Sequence, residues 1–166
     1  MGLVPGWPSG IYRKSGPQGV RFCETEIMLK KIKKSEDEWK KILTTEQFRV
    51  MRQHGTEAPF TCSWNKNENG VYHCAACGLP LFRHEHKFDS GTGWPSYFQP
   101  VAPDHVEFQV DSSHGMIREE VRCARCDSHL GHVFEGGPPP TRKRYCINSI
   151  ALKFIPEIDE EPGDGE

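Results

Sequence analysis

Two short stretches near residue 40 carry apolar side chains at the spacing of a helix. Ser35 with Glu38 forms the pattern of a capping box, Thr44 or Thr45 can cap a second helix, and Gly55 is suited to end it. The apolar positions are Trp39, Ile42 and Leu43 in the first stretch and Phe48, Val50 and Met51 in the second. The sequence therefore predicts two consecutive short helices.

After Gly55 the pattern becomes that of strands. Residues 105–110, HVEFQV, alternate between polar and apolar side chains, which predicts a half-buried strand. Other short runs, broken by Gly, Pro, Asn and Asp, are VYHC, MIREEVRC and YCINSIALKF. We therefore expect a mainly β fold, mostly antiparallel, with the two helices packed on it.

Length and charge exclude several classes of protein. The chain has 166 residues and a net charge of -2, which fits one domain and argues against nucleic-acid binding by bulk positive charge. No apolar run is long enough to span a membrane, and no secretory signal pattern is present, so a cytoplasmic location is expected. We also expect a monomer.

Three regions are predicted along the chain. Residues 1–34 form an N-terminal extension, in which IYRK and VRFCETEI flank a Gly/Pro turn and suggest a hairpin. Residues 35–155 form the folded domain. Residues 156–166 are strongly acidic and are expected to be a disordered tail.

Four of the seven cysteines form two C-x-x-C pairs separated by residues 78–122. The pairs are Cys74 with Cys77 and Cys123 with Cys126. Each pair places two thiolates on one tight turn, so together they predict a tetrahedral structural zinc site. A redox C-x-x-C motif is the alternative, and the presence of two matched pairs favours zinc.

Cys146 stands apart from these pairs. If the run RYCINS is a strand, Arg144, Cys146 and Asn148 share one face, and the cation favours thiolate over thiol. From this pattern alone, a nucleophile and a buried structural cysteine are nearly equal interpretations.

Four segments together resemble a known family. They are GVYHCAACG at 70–78, SGTGWPS at 90–96, CDSHLGHVF at 126–134, and RYCINS at 144–149. In this order they resemble the B-type methionine sulfoxide reductases, which act on the R epimer, and the similarity extends from about residue 35 to residue 154. The resemblance implies two antiparallel sheets, zinc held by both cysteine pairs, oxidised proteins or peptides as substrate, and thioredoxin as reductant.

The resemblance also assigns roles to residues. Cys146 is the nucleophile, Trp94 forms a wall for the substrate, and the pocket contains His129, His132, Arg144 and Asn148. This chemistry is reasonable on its own terms, because a thiolate attacks sulfoxide sulfur and a histidine can protonate the oxygen. The oxidised product is a sulfenic acid on the nucleophile. Which histidine donates the proton is left open.

One position departs from the family pattern. Many members carry a second, resolving cysteine where this chain has Thr92. Cys62 is the leading replacement, ahead of direct attack by thioredoxin or a small thiol, with Cys23 as a further candidate. A disulfide also requires Cα atoms within about 7 Å unless a loop moves.

Two other functions compete with repair. A zinc-ribbon binding module would explain the paired cysteines but leaves Cys146 without a role. A redox sensor would release its zinc on oxidation, whereas a repair enzyme should keep it.

Overall fold

The computed structural model describes residues 29–62 and 68–157. The predicted N-terminal hairpin, Cys23 and most of the acidic tail lie outside these residues. No helix within them has both the length and the apolar character needed to cross a membrane.

Both predicted helices are present, and each begins with a capping box. Helix α1 spans Glu36–Ile42 after Ser35, and helix α2 spans Thr45–Met51 after Thr44. The second helix does not end through a left-handed Gly55. Instead, His54 adopts the left-handed backbone conformation, with φ 55°. His54 is thereby fixed at the point where the chain leaves the helix.

Within residues 29–62 and 68–157, nine strands form two antiparallel sheets, as the resemblance implies. The strands are β1 Gly70–Cys74, β2 Pro80–Arg83, β3 Lys87–Phe88, β4 Ser96–Tyr97, β5 Val106–Asp111, β6 Arg118–Cys123, β7 His129–Glu135, β8 Lys143–Ile147 and β9 Leu152–Pro156. The smaller sheet has the order β2-β1-β9, and the larger has the order β3-β4-β8-β7-β6-β5. A short 3₁₀ helix, Ser149–Ala151, separates β8 from β9 and carries the chain between the sheets.

The larger sheet has one apolar and one polar face at its centre. Tyr97, Tyr145 and Ile147 are buried on the apolar side, where Phe82 of the smaller sheet stacks on Tyr97 with ring centroids 4.4 Å apart. Alternate residues of the same strands point to the other side. The core therefore holds these strands in place and leaves their polar face available for chemistry.

Strand β5 is less buried than its alternation predicts. It begins at Val106, and only that residue of its apolar set is buried, since Phe108 and Val110 are 46% and 73% exposed. The strand lies at the edge of the larger sheet. Alternation correctly predicts which side chains share a face, but it does not show how far the core extends along the strand.

Candidate active site and metal centre

The register of the larger sheet places a row of polar residues across five strands. Ser96 of β4 pairs with Cys146 of β8, Cys146 pairs with His132 of β7, and the row continues through Glu120 of β6 to Gln109 of β5. Directly paired residues of an antiparallel sheet point to the same face. A thiol, an imidazole and a carboxylate therefore stand next to one another on the polar face.

Cys146 is in contact with a cation. Arg144 Nη1 lies 3.0 Å from Cys146 Sγ, and the guanidinium is held 4.7 Å above the ring of Phe134, its cross-strand partner. The residues Arg144 and Cys146 share a face, as predicted from the strand pattern. The strand and the Phe134 ring therefore hold a positively charged group directly against the sulfur.

The strand beside Cys146 must approach it closely. A Cβ atom on Gly131 of β7 would lie 2.0 Å from the carbonyl oxygen of Cys146, so a larger side chain cannot be accommodated there. This explains the glycine between the two histidines of the HLGHVF segment. It also keeps β7, and therefore His132, next to the thiol.

A chain of hydroxyl groups connects Cys146 to Thr92. Ser96 Oγ lies 3.8 Å from Cys146 Sγ and 2.7 Å from Ser90 Oγ, which in turn lies 2.7 Å from Thr92 Oγ1. Position 92, where the family resemblance implies a resolving cysteine in many members, is therefore linked to the thiol through the hydroxyls of Ser90 and Ser96. Here it holds a hydroxyl group, which forms no disulfide.

Each of the two predicted histidines is held by a carboxylate. His132 Nε2 lies 2.7 Å from Asp111 Oδ2. Burial lowers the pKa of His132, the hydrogen bond to Asp111 offsets part of this shift, and Arg118 and His129 add to it. Hydrogen bonds from Ser113 and His132 hold the pKa of Asp111 well below its usual range, so this carboxylate stays ionised beside the imidazole.

The second carboxylate, Glu120, serves more than one partner. His129 Nδ1 lies 2.7 Å and His54 Nδ1 lies 3.0 Å from the same oxygen, Oε1, while Arg122 Nε lies 3.1 Å from Oε2. Burial would raise the pKa of Glu120, but His129 and Arg122 outweigh it and lower the pKa to about 2. The other nitrogen of His129, Nε2, is buried and has no partner in the described part of the chain.

Trp94 and Asn148 are positioned through one residue, Glu57. The Glu57 carbonyl accepts a hydrogen bond from Trp94 Nε1 at 3.0 Å, and its backbone N–H donates to Asn148 Oδ1 at 3.0 Å. Its carboxylate accepts hydrogen bonds from the backbone N–H groups of Ser149 and Ile150. Asn148 Nδ2 also donates to a backbone carbonyl of β7. The Asn148 side chain therefore connects strand β7 to the segment that carries Glu57, and both of these hydrogen bonds are to backbone groups.

The loop that carries Cys62 is attached to the turn that carries Trp94. The N–H of Phe60 donates to the carbonyl of Gly93 at 2.7 Å, and a Cβ atom on Gly93 would meet the Phe60 ring at 2.9 Å. Cys62 itself is half-buried and free. Its loop therefore begins beside the turn that contains Thr92 and Trp94.

The four paired cysteines converge, as the C-x-x-C spacing predicts. All four sulfurs lie within 4.8 Å of one another, with Sγ atoms of Cys74 and Cys126 separated by 3.7 Å and those of Cys77 and Cys123 by 3.5 Å. Tetrahedral zinc with Zn–S bonds near 2.3 Å would place its sulfurs about 3.8 Å apart. The cluster therefore fits a zinc ion.

The two turns of this cluster have the same construction. The N–H of Gly78 donates to the carbonyl of Cys74, and that of Asp127 donates to Cys123, while both donors adopt left-handed backbone conformations. Contacts with its neighbouring sulfurs, together with burial, raise the pKa of Cys74 well above its usual value. Four thiolates so close together, three of them buried, need a cation, and zinc is the cation that suits four thiolates.

Sequence reasoning missed five residues of the polar face and its surroundings, namely His54, Glu57, Ser96, Asp111 and Glu120. Glu120 had a usable signal, because the run REEVRC alternates and puts one glutamate on the face opposite to Val121. Nothing local distinguishes His54 or Glu57, whose partners lie far away along the chain.

Comparison with known proteins agrees with this geometry. The SelR domain family matches residues 43–156. A "Peptide methionine sulfoxide reductase MsrB" of Agrobacterium fabrum is 53% identical over 133 residues, covering 80% of this chain and 98% of the relative. The protein of the same name in Methanosarcina barkeri is 56% identical over 139 residues, covering 82% and 96%. That of Caulobacter vibrioides is 62% identical over 115 residues, covering 68% and 72%.

Proposed function

Since the chain belongs to the SelR family of MsrB methionine sulfoxide reductases and is an oxidoreductase, we propose that it reduces methionine-R-sulfoxide in proteins through Cys146. One observation carries the choice of nucleophile. Cys146 Sγ is the sulfur that lies 3.0 Å from a guanidinium on the polar face, whereas four other sulfurs lie together in the metal cluster. We further propose that residues 35–155 form the catalytic domain.

The first step is a two-electron reduction of the sulfoxide. The Cys146 thiolate attacks the sulfoxide sulfur and forms a sulfur–sulfur bond. The protonated oxygen then bonds to the Cys146 sulfur as the sulfur–oxygen and sulfur–sulfur bonds break, which leaves a sulfenic acid on Cys146 and releases methionine. Methionine sulfur is reduced by two electrons, and the cysteine sulfur is oxidised by two. The thiol's own proton balances the step once it has been delivered to that oxygen.

We assign the proton transfer to His132. This residue is the direct cross-strand partner of Cys146, whereas His129 lies further along β7, opposite Arg122. Paired Cβ atoms in such a sheet are about 4.5–5.5 Å apart, which leaves room for a sulfoxide oxygen between the two side chains. In the reactive form the proton of the Cys146 thiol would reside on His132 as an imidazolium beside the thiolate, stabilised by Asp111, and would pass from there to the departing oxygen.

Trp94 is the proposed wall for the methionine methyl group. Its indole is half-buried and its Nε1 is held by the Glu57 carbonyl, so the ring has a fixed orientation. Sulfur–aromatic contacts contribute about 0.3–1.5 kcal/mol each, enough to favour one arrangement of the methyl group. Preference for the R epimer follows if the oxygen must point towards His132 at the same time.

We propose that Cys62 resolves the sulfenic acid. The thiol of Cys62 would attack the oxidised sulfur of Cys146, releasing water and forming a disulfide that the dithiol of thioredoxin then reduces. The hydrogen bond between Phe60 and Gly93 supports this choice, because it attaches the Cys62 loop to the turn beside the active site. Direct reduction and Cys23 remain the competing routes.

The zinc ion is proposed to be structural. Four thiolates fill a tetrahedral shell and leave no position open for substrate, so the ion would stabilise the fold without entering the reaction. Cytoplasmic location is proposed as well, since none of the six cysteines within the described residues forms a disulfide and the cytosol keeps cysteines reduced. We propose that the enzyme acts as a monomer.

The test is an assay on a peptide that contains each sulfoxide epimer separately, with dithiothreitol and then with thioredoxin. We expect the R epimer to be reduced with both reductants and the S epimer with neither. Cys146→Ser is the control for adventitious thiol chemistry and should be inactive. Reduction of the S epimer alone, or of neither epimer, would contradict the proposal.

A further inference from the structure

A second group of metal-ligating side chains lies on the polar face, apart from the cysteine cluster. We propose that His54, Glu120 and His129 form a binding site for a divalent transition metal ion, with zinc as the first candidate. Ligand atoms of these three residues all lie within 4.8 Å of one another. No residue of the group belongs to the cysteine cluster.

The donor set is one that zinc uses in proteins. Two imidazoles and one carboxylate hold catalytic zinc ions and leave a fourth position open. With bonds of 2.0–2.2 Å, tetrahedral coordination would place neighbouring ligand atoms about 3.3 Å apart. The present separations, 2.7 Å and 3.0 Å from Glu120 Oε1 to the two Nδ1 atoms, need to open by only a few tenths of an ångström.

Two of the three ligands are buried, and the third is exposed to solvent. Glu120 is 4% exposed and His129 is 2% exposed, so the core fixes their orientation. The side chain of His54 is 55% exposed and reaches Glu120 from the end of helix α2. An ion can therefore enter from solvent at His54 and meet two ligands that are already in place.

The groups around Glu120 determine which of its oxygens would bind the ion. Glu120 would bind as a carboxylate, since a metal ligand must be deprotonated. Arg122 pairs with Oε2 and leaves Oε1 for the histidines, so Glu120 would bind the ion through one oxygen. Imidazole nitrogen selects zinc, copper and nickel over magnesium and calcium.

A bound ion would act on the neighbouring chemistry. The rings of His129 and His132 have centroids 5.4 Å apart in an edge-to-face contact, so the ion would lie next to the histidine that faces Cys146. The ion, together with the ligand at its open coordination position, would occupy part of the pocket that the substrate needs. We therefore expect zinc beyond the structural equivalent to inhibit the reductase, which is a consequence that rests on the proposed function.

The experiment titrates Zn²⁺ into phosphine-reduced, full-length protein that already carries zinc in its cysteine cluster. We expect one further equivalent to bind, with an X-ray absorption shell of nitrogen and oxygen near 2.0–2.1 Å for the added ion and no added sulfur at 2.3 Å. His54→Asn should weaken this binding by about 100-fold or more, since loss of an outer-shell partner alone costs 10–100-fold.

A matched control is available in His114→Asn. His114 has almost the same left-handed backbone as His54, with φ 56° against 55°, and asparagine tolerates that conformation at both positions. His114→Asn should bind the second equivalent like the parent protein. The reference for each protein is its own rate with zinc in the cysteine cluster only. Relative to that rate, added zinc should inhibit the parent protein and His114→Asn, and should inhibit His54→Asn much less.

Three results would overturn the site. They are the absence of a second equivalent in the parent protein, its retention at full affinity in His54→Asn, and its loss in Cys146→Ser, which would identify the thiolate as the ligand. Binding is measured without turnover. If the site binds zinc while no sulfoxide is reduced, the proposed function fails and the metal site stands.

Discussion

The cysteine cluster and the row around Cys146 use sulfur in opposite ways. In the cluster, four sulfurs come from two turns of identical construction and surround one position. In the row, a single sulfur is flanked by Arg144, Ser96 and His132, which come from three strands. The first arrangement is closed by its own ligands, whereas the second leaves the sulfur open on one side.

This difference separates stability from reactivity. Thiolates that are fully coordinated lose their nucleophilic role and contribute to folding, while a thiolate beside a single cation keeps its lone pairs for attack. The segment after helix α2 contacts both regions, because Arg52 donates to the carbonyl of Cys126 at 2.8 Å and His54 lies 3.0 Å from Glu120 of the row. Substitutions can therefore show whether the cysteine cluster affects only stability and the row around Cys146 affects only reactivity.

The largest effect is expected from removing the reactive sulfur. Cys146→Ser should lower reduction of methionine-R-sulfoxide by at least about a thousandfold with either reductant, because an alcohol at neutral pH is a poor nucleophile. Zinc content and melting temperature should stay close to those of the parent, which a metal assay and thermal unfolding would check. Normal turnover would move the nucleophile elsewhere, first to Cys62.

The converse substitution should affect the fold. Cys123→Ser removes one ligand of the cluster, and structural zinc contributes about 10–16 kcal/mol in small zinc peptides. Since the two sheets also hold this chain, we expect a smaller effect, a fall in melting temperature of about 10 °C or more. Calorimetry of the zinc-loaded and chelated parent protein provides the comparison. Equal melting temperatures with and without metal would contradict the structural role.

The same difference explains what could be predicted from the sequence. The cluster consists of local turns, so the spacing of Cys74 and Cys77, repeated at Cys123 and Cys126, was sufficient. The N-terminal caps of the helices, Ser35 and Thr44, are local too, and they were predicted correctly. Pocket residues such as His129 and Trp94 came from the family resemblance.

The missed residues depend on register instead. Glu120 pairs with His132, and a register shift between Val121 and Arg122 then pairs Arg122 with His129, which brings both histidines near Glu120. No local pattern gives the position of such a bulge. His54 and Glu57 reach the site from the segment after helix α2, which packs against the sheet through long-range contacts. The spacing of apolar residues along the chain does not predict this packing.

The resolving step can be tested by moving the second thiol. Cys62→Ser should retain the first step, releasing one methionine per chain, and should lower turnover with thioredoxin by about tenfold or more, since thioredoxin attacks a disulfide. Dithiothreitol is small enough to reach the sulfenic acid and should restore much of the rate. Adding Thr92→Cys should then recover thioredoxin turnover, because only the hydroxyls of Ser90 and Ser96 lie between the side chains at positions 92 and 146.

Two results would change this assignment. Cys62→Ser running at full rate with thioredoxin, while Cys23→Ser does not, would make Cys23 the resolving residue. Full rate in both single variants and in the double variant would mean direct reduction without an internal disulfide. Peptide mass mapping after one turnover without reductant should otherwise find Cys62 joined to Cys146.

The smallest expected effect concerns the proton carried by His132. The hydrogen bond to Asp111 raises the pKa of His132 and offsets part of the lowering caused by burial, so Asp111→Asn should lower that pKa further. A protonated imidazole is required in the proposed step, and the rate therefore falls as pH rises through its pKa. The falling limb should move to lower pH by up to about one unit, which reduces the rate above the pKa by up to about tenfold.

Arg118 lowers the same pKa, so Arg118→Gln should move the limb in the opposite direction. Profiles of kcat/KM against pH for the two variants would measure both shifts. Unchanged limbs in both would assign the proton to another group, and His129 would then be the first candidate.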